Sequence, residues 1–390
     1  MWRPLSAIVF LVAIVNPLAE TRRLRLRSSD TLQLDDYLDY DGVMLYLDQL
    51  ARAYPDRITL KDVGRTYQNR ALKLAMISNG DGRLGKRVIF MDAALHAREW
   101  MTPVAALYTI YKLVVEFKEN ADLLADFDWH IMPLANPDGY EYSRKTNARW
   151  RNTRTPNVGD CMGTNLNRNF ELGWGIGFPE LKDPCDENYA GSAPFSEVEA
   201  RTVRDIMHTL MKTQRGVMYL SLHTSLRSVI YPWVYDSTPV QNQEEHIEIA
   251  KFVADQIFQS TGTVIKKLPG TQVGGEFGGT SIDYAFYMGF PLSFTFEMSG
   301  MDHNHVDYRF FPPTSEIRRL ADESWTGIRA FGKKAIEKYP PSRAIPQSEK
   351  HRPTKNSATR NWDLAPVVGT TTLLFVHFFK KFVSFKMCQN

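Results

Sequence analysis

Val88-Ile89-Phe90-Met91-Asp92-Ala93-Ala94-Leu95-His96-Ala97-Arg98-Glu99-Trp100 is an apolar run that ends in a candidate metal-ligand pair. Val88 to Met91 lack the alternation of a half-exposed strand, so the run reads as a strand covered on both faces. His96 and Glu99 bring an imidazole nitrogen and a carboxylate oxygen, donors that suit zinc. A third ligand from elsewhere would leave one coordination position open for water. The pair alone decides little: with nine histidines in the chain, a Glu three residues after one of them arises by chance about half the time at ordinary Glu frequency.

The pattern extends outward from this strand. Apolar runs at 72–77, 87–92, 129–134, 217–222 and 292–296 alternate with helical patterns at 43–53, 103–117, 196–213, 247–259 and 315–339. That alternation predicts an α/β fold, a single large domain over 34–339 with a mixed, mostly parallel central sheet covered by helices on both faces. Helix starts are marked by Asp41-Gly42, by Pro103 at an early helical position, and by a Ser196 cap followed by Glu197 and Glu199. The stretch 142–192 shows little periodicity and much Gly, Pro, Asn and Arg. Inside a compact domain such a stretch is usually functional. His96 and His223 both fall at carboxyl ends of predicted strands, where ligand sites of open α/β sheets gather.

Composition sets the outer bounds. The 390 residues are 43% hydrophobic and 23% charged, ample for a core, and a net charge of +3 is too small to point to nucleic acid. Arg3, the apolar Leu5–Val15 and small Ala19 read as a secretion signal over 1–19, too short for a comfortable membrane span. Arg22, Arg23, Arg25 and Arg27 then make a short basic arm over 20–33, read as solvated, protease-accessible chain. Cys161 and Cys185 flank one loop-rich segment of an exported chain and so read as a disulfide, with two buried free thiols as the alternative. Cys388 has no evident partner. From 340 to 390, prolines among Ser, Lys and Arg read as a linker and tail. The apolar segment 364–379 is interrupted by Gly369 and His377 and falls short of the roughly 20 residues a span needs, so membrane attachment is the weaker reading.

Three segments follow the His96–Glu99 pair in order. They are Asn147-Ala148-Arg149-Trp150-Arg151 running on to Asn165-Leu166-Asn167-Arg168-Asn169-Phe170, then Ser221-Leu222-His223, then Phe294-Thr295-Phe296-Glu297. With Tyr37-Leu38-Asp39-Tyr40 and Asn136-Pro137-Asp138-Gly139-Tyr140, they resemble the zinc metallocarboxypeptidases of the pancreatic carboxypeptidase A/B type over roughly Leu34 to Tyr339. The resemblance implies a secreted, monomeric exopeptidase that uses one zinc ion to hydrolyse the last bond of peptide or protein C-termini. It implies His96, Glu99 and His223 as the zinc ligands, Glu297 as general base, and Arg151 as the cation facing the carbonyl oxygen. Arg168 with Asn167 becomes the clamp on the terminal carboxylate, and Cys161 pairs with Cys185. Arg98 matches a position that helps bind substrate near the scissile bond, although an arginine between two ligands reads equally as a spacer.

These residue types suit those roles. Two nitrogens and a carboxylate are the set of hydrolytic zinc, Glu297 ends an apolar strand where partial desolvation raises its pKa, and a guanidinium grips a carboxylate bidentately. Members that cleave basic residues carry an acid where Ile282 stands here. An apolar floor cannot solvate Lys or Arg, so aliphatic or aromatic termini are expected. Phe277 and Val234 stand where smaller residues occur and would narrow the pocket.

The chain also departs from the family. No tyrosine lies in Val273-Gly274-Gly275-Glu276-Phe277-Gly278-Gly279, where the family carries one on a mobile loop. Ser225 replaces a second tyrosine, Ala148 an arginine of the extended groove, and Asn165 the Asp that orients the first zinc histidine. About fifteen residues separate the expected signal from the core, too few for the family's globular pro-segment. Two alternatives follow: a non-catalytic or weakly active peptide-binding relative, and a zinc amidase on non-peptide substrates.

Overall fold

The computed structural model describes residues 32–298, 300 and 307–345. The expected signal, the basic arm up to 31, and the tail from 346 with its apolar segment and Cys388 lie outside the described residues.

Eight strands form one sheet: β1 (Ile58–Arg65), β2 (Ala71–Ile77), β3 (Arg87–Asp92), β4 (Phe127–Met132), β5 (Gly216–Thr224), β6 (Ser228–Tyr231), β7 (Lys266–Pro269) and β8 (Leu292–Met298). Their order is β1-β2-β4-β3-β5-β8-β6-β7. The central strands β4, β3, β5 and β8 run parallel, and β2 and β6 flank them antiparallel. The α-helices of seven residues or more among the described residues are α1 (Tyr40–Ala53), α2 (Met101–Val114), α3 (Pro137–Lys145), α4 (Val198–Lys212), α5 (Gln243–Thr261), α6 (Ser281–Tyr287) and α7 (Ile317–Lys338).

β3 shows why the sheet needs cover on both sides. Ile89 and Met91 join Leu47 of α1, Ile110 of α2, Ile249 of α5 and Phe331 of α7 in one apolar cluster. Val88 and Phe90 point the other way, to Val203 and Met207 of α4 and Ala285 of α6. The predicted 87–92 strand matches β3 to the residue. Two helix starts are corrected. α1 opens at Tyr40, because the Asp39 carboxylate accepts the Gly42 N–H at 2.9 Å and caps it. α4 opens at Val198; the Ser196 hydroxyl donates to Glu197 Oε1 and does not cap the helix.

Between α3 and α4 the chain is irregular, as expected, and Cys161 is bonded to Cys185 with Cα atoms 4.9 Å apart. Among the described residues no helix is long and apolar enough to cross a membrane.

Candidate active site

The site grows from the carboxyl ends of the adjacent parallel strands β3, β5 and β8. β3 leads through buried Ala93, Ala94 and Leu95 to His96 and Glu99. Thr102 at the start of α2 closes that turn, accepting the Ala94 N–H and donating to the Glu99 carbonyl, each at 2.9 Å. His223 is the penultimate residue of β5 and Glu297 that of β8, and the two pair in register across the sheet.

His96 Nδ1 lies 2.8 Å from Glu99 Oε1, His223 Nδ1 lies 3.0 Å from Glu99 Oε2, and the two Nδ1 atoms are 3.0 Å apart. All three side chains are buried. Burial, with Arg151 next, holds His96 well below its ordinary pKa. Burial also opposes ionisation of Glu99, but the two imidazoles outweigh it and keep the carboxylate charged well below its usual range. For His223, burial is outweighed by Glu99, and the ring is drawn toward positive charge. Two ring nitrogens converging on an anionic carboxylate need a cation between them, and this donor set fits zinc.

The far nitrogens are held differently. His96 Nε2 meets Asn165 Oδ1 at 3.0 Å. His223 Nε2 meets Ser221 Oγ at 3.1 Å, and that hydroxyl donates to Asp92 Oδ1 at 2.8 Å. Asp92 Oδ2 accepts the Tyr219 hydroxyl. Burial pushes the Asp92 carboxyl up to about 6 against those two hydrogen bonds. Both arrangements favour a proton on Nε2 and leave Nδ1 with its lone pair. Reading the sequence found Asn165 but missed Ser221, Tyr219 and Asp92. The available signal was period two: residues 219, 221 and 223 share one face of β5, and Asp92 registers against Ser221.

A cleft of about 270 Å³ opens over this group, lined by His96, Glu99, Arg151, Asn167, Arg168, Ile282 and Glu297 among others. Arg151 Nη1 lies 3.7 Å from Glu99 Oε1, and the Arg151 carbonyl accepts the Ala97 N–H at 2.9 Å, fixing the loop to the ligand turn. Burial pushes Glu297 up to about 7, and its Oε2 accepts the Leu226 N–H at 3.3 Å. Arg168 is buried, its Nη1 donates to the Asn167 carbonyl at 2.8 Å, and its guanidinium lies 4.0 Å from the centre of the Phe277 ring. Burial, then repulsion from Arg151, pushes that guanidinium below its ordinary value. Asn167 Oδ1 accepts the Ser281 N–H at 2.9 Å, which leaves the amide nitrogen as a donor. At Gly279 a Cβ would fall 2.1 Å from the Arg168 carbonyl, so glycine is required where the loop crosses.

Arg98 does not line the cleft. It grips both carboxylate oxygens of Glu187 at 2.7 and 3.1 Å and lies 4.5 Å from the centre of the Phe310 ring. Of its two expected uses, the geometry favours the spacer.

A sequence profile described as zinc carboxypeptidase matches residues 43–327. Carboxypeptidase B of Helicoverpa zea is 34% identical over 317 residues, covering 78% of this chain and 72% of that protein. Carboxypeptidase A4 of Mus musculus is 30% identical over 299 residues, covering 76% of this chain and 69% of that one. The crystal structure of carboxypeptidase A from Helicoverpa armigera superposes with a TM-score of 0.73 at 28% identity, covering 82% of this chain and 81% of that one. The matched region carries His96, Glu99, His223 and Glu297, and on this footing the chain belongs to the zinc carboxypeptidase family, metallocarboxypeptidases that hydrolyse the C-terminal peptide bond.

Proposed function

We propose that this chain binds one zinc ion through His96 Nδ1, Glu99 and His223 Nδ1 and releases an apolar C-terminal residue from peptides outside the cell. The observation that carries the reading is Arg168: a buried guanidinium, without an acid partner among the described residues, in the same cleft as the His-Glu-His group. A bidentate anion is what such a cation lacks.

Held by Arg168 and the Asn167 amide, a terminal carboxylate sets the last peptide bond, and no internal one, beside the metal donors. Ile282 gives the side-chain pocket an apolar floor that cannot solvate Lys or Arg. Zinc, when bound, supplies Lewis-acid polarisation of the carbonyl and acidification of water. Glu297 takes the proton of the attacking water on its carboxylate and passes it to the leaving amine. Arg151 sets a fixed cation against negative charge developing on the carbonyl oxygen. The Cys161–Cys185 disulfide supports an oxidising compartment, in keeping with the signal read in 1–19. Purified protein is expected to hold one zinc per chain by elemental analysis and to release Ala or Leu from a peptide with a free C-terminus. Protein that binds no zinc overturns the reading.

A further inference from the structure

We propose that the terminal-residue pocket admits only short side chains, so that the enzyme releases alanine-sized residues and rejects Phe, Tyr and Trp. The proposal rests on the carboxypeptidase reading and narrows it, setting aside the aromatic termini that an apolar floor alone would allow.

Besides the metal donors the cleft is lined by Ile282, Ile230, Thr280, Thr295, Val234 and Phe277. Val234 and Phe277 are fixed as a unit. The Phe277 N–H donates to the Val234 carbonyl at 3.2 Å, and the Val234 N–H donates to both Asp283 oxygens at 3.0 Å. Behind Val234 there is no space to withdraw: a Cβ on Gly270 would lie 2.4 Å from Val234 Cγ2. Behind Phe277, a Cβ on Gly177 would lie 2.9 Å from the Phe277 Cβ, and the Phe178 ring meets the Phe277 ring edge-on at 6.1 Å.

The other side of the Phe277 ring lies against Arg168. Swinging the ring aside would uncover a buried cation and forfeit a cation–π contact. A substrate whose carboxylate sits on Arg168 carries its side chain on the carbon next to the carboxyl group, and so near the Phe277 ring that lies against that guanidinium. The whole cleft holds about 270 Å³, at or below the low end of the roughly 300–1,000 Å³ of small-ligand pockets, and it must also take the scissile peptide. Interiors packed this closely do not stretch. With Val234 and Phe277 fixed in place, the wall they form favours a methyl group over a ring.

The test is kcat/KM on peptide acids that differ only in the last residue, Gly, Ala, Leu or Phe, for the zinc-loaded protein. Ala should exceed Phe by about 100-fold, within the range that a few carbon atoms command in an apolar pocket. In a Phe277→Ala, Val234→Gly double variant the Phe-to-Ala ratio should rise at least about tenfold, even though both rates fall as Arg168 loses its covering ring. Because that variant can misfold, inhibition of the natural protein by free Ala and free Phe is measured as well, and Ala should bind more tightly. Equal cleavage of Phe and Ala peptides, equal inhibition by the two amino acids, or an unchanged ratio in a folded variant overturns the size limit alone. Failure to cleave any of the peptides, with zinc bound, overturns the carboxypeptidase reading and the size limit with it.

Discussion

At the metal end of the cleft the donor residues sit at or just beyond the ends of adjacent parallel strands, and the far nitrogen of each imidazole meets a buried oxygen. At the other end, Asn167 and Arg168 come from a single 3-10 turn, Leu166–Arg168, and Phe277 from a loop, and they hold one another by stacking and backbone contacts. Strand ends fix atoms through the ladder, at positions that no substrate needs to complete. The turn that carries Arg168 instead leaves it buried with no acid partner among the described residues. The family's variation follows the same division: the expected metal donors and Glu297 stand unchanged here, while the departures at 225, 234 and 277 line the cleft. Asn165 alone reaches back to the metal end, and it makes the two histidines unequal. His96 rests on a neutral amide, whereas His223 is linked through Ser221 to the carboxylate of Asp92.

The sharpest way to break this division is at Glu297, which lies on a strand yet is the proposed base toward substrate. Glu297→Gln should lower kcat by about 10²–10⁴-fold, the usual contribution of a general base, with zinc content unchanged by elemental analysis; full activity would remove Glu297 from the chemistry. Glu297 acts as base only when ionised. With burial raising it to about 7, kcat/KM should fall on acidification below about pH 7. Bound zinc, adding positive charge nearby, moves that limb lower. The residual activity of the Gln variant should lack the limb.

Arg168→Ala tests the loop end. The natural protein should prefer a peptide acid over its C-terminal amide by roughly 30- to 1,000-fold, the equivalent of about 2–4 kcal/mol for a desolvated charge pair. The variant should lose most of that preference while keeping its zinc, and equal cleavage of acid and amide by the natural protein would dissolve the contrast between the two ends.

Ser221→Ala tests the unequal histidines. Chelator competition should show metal affinity reduced by about 10- to 100-fold, as for other partners of ligating histidines, whereas Asn165→Asp should tighten it. Indifference to both changes would make the strand ends alone sufficient.

The smallest effect is expected at Arg98→Ala. Its partner Glu187 is half-exposed, and such pairs are worth about 0–1 kcal/mol. A change of no more than about fivefold in kcat/KM should follow; a much larger loss would bring Arg98 back to the substrate.

Legibility in the sequence tracks the same division. β3 could be read to the residue because Val88 to Met91 each face a packed layer, between Arg87 at its start and Asp92 at its end. β1 escaped because it is an edge strand with four exposed residues out of eight positions' worth of mixed polarity. β6 and β7, at four residues each, are too short for a pattern. α3 hid behind Pro137-Asp138-Gly139, which reads as a turn; Asn136 makes it a helix start by accepting the Gly139 N–H at 3.0 Å. In the site, His96, Glu99, His223, Glu297 and Arg168 were visible through their spacing and order. Ser221 and Asp92 were not, because 129 residues separate them and only sheet register brings them together. Arg98 shows the converse limit: its position was legible, but the direction of its side chain depends on Glu187, which nothing nearby in sequence announces.

The Cys161–Cys185 bond encloses Asn165, Asn167 and Arg168 and none of the metal donors. Closing a loop of this length withdraws about 3 kcal/mol of chain entropy from the unfolded state. The bond thus staples the segment that carries Asn165, Asn167 and Arg168, whereas the His-Glu-His group is left to the sheet ladder to hold.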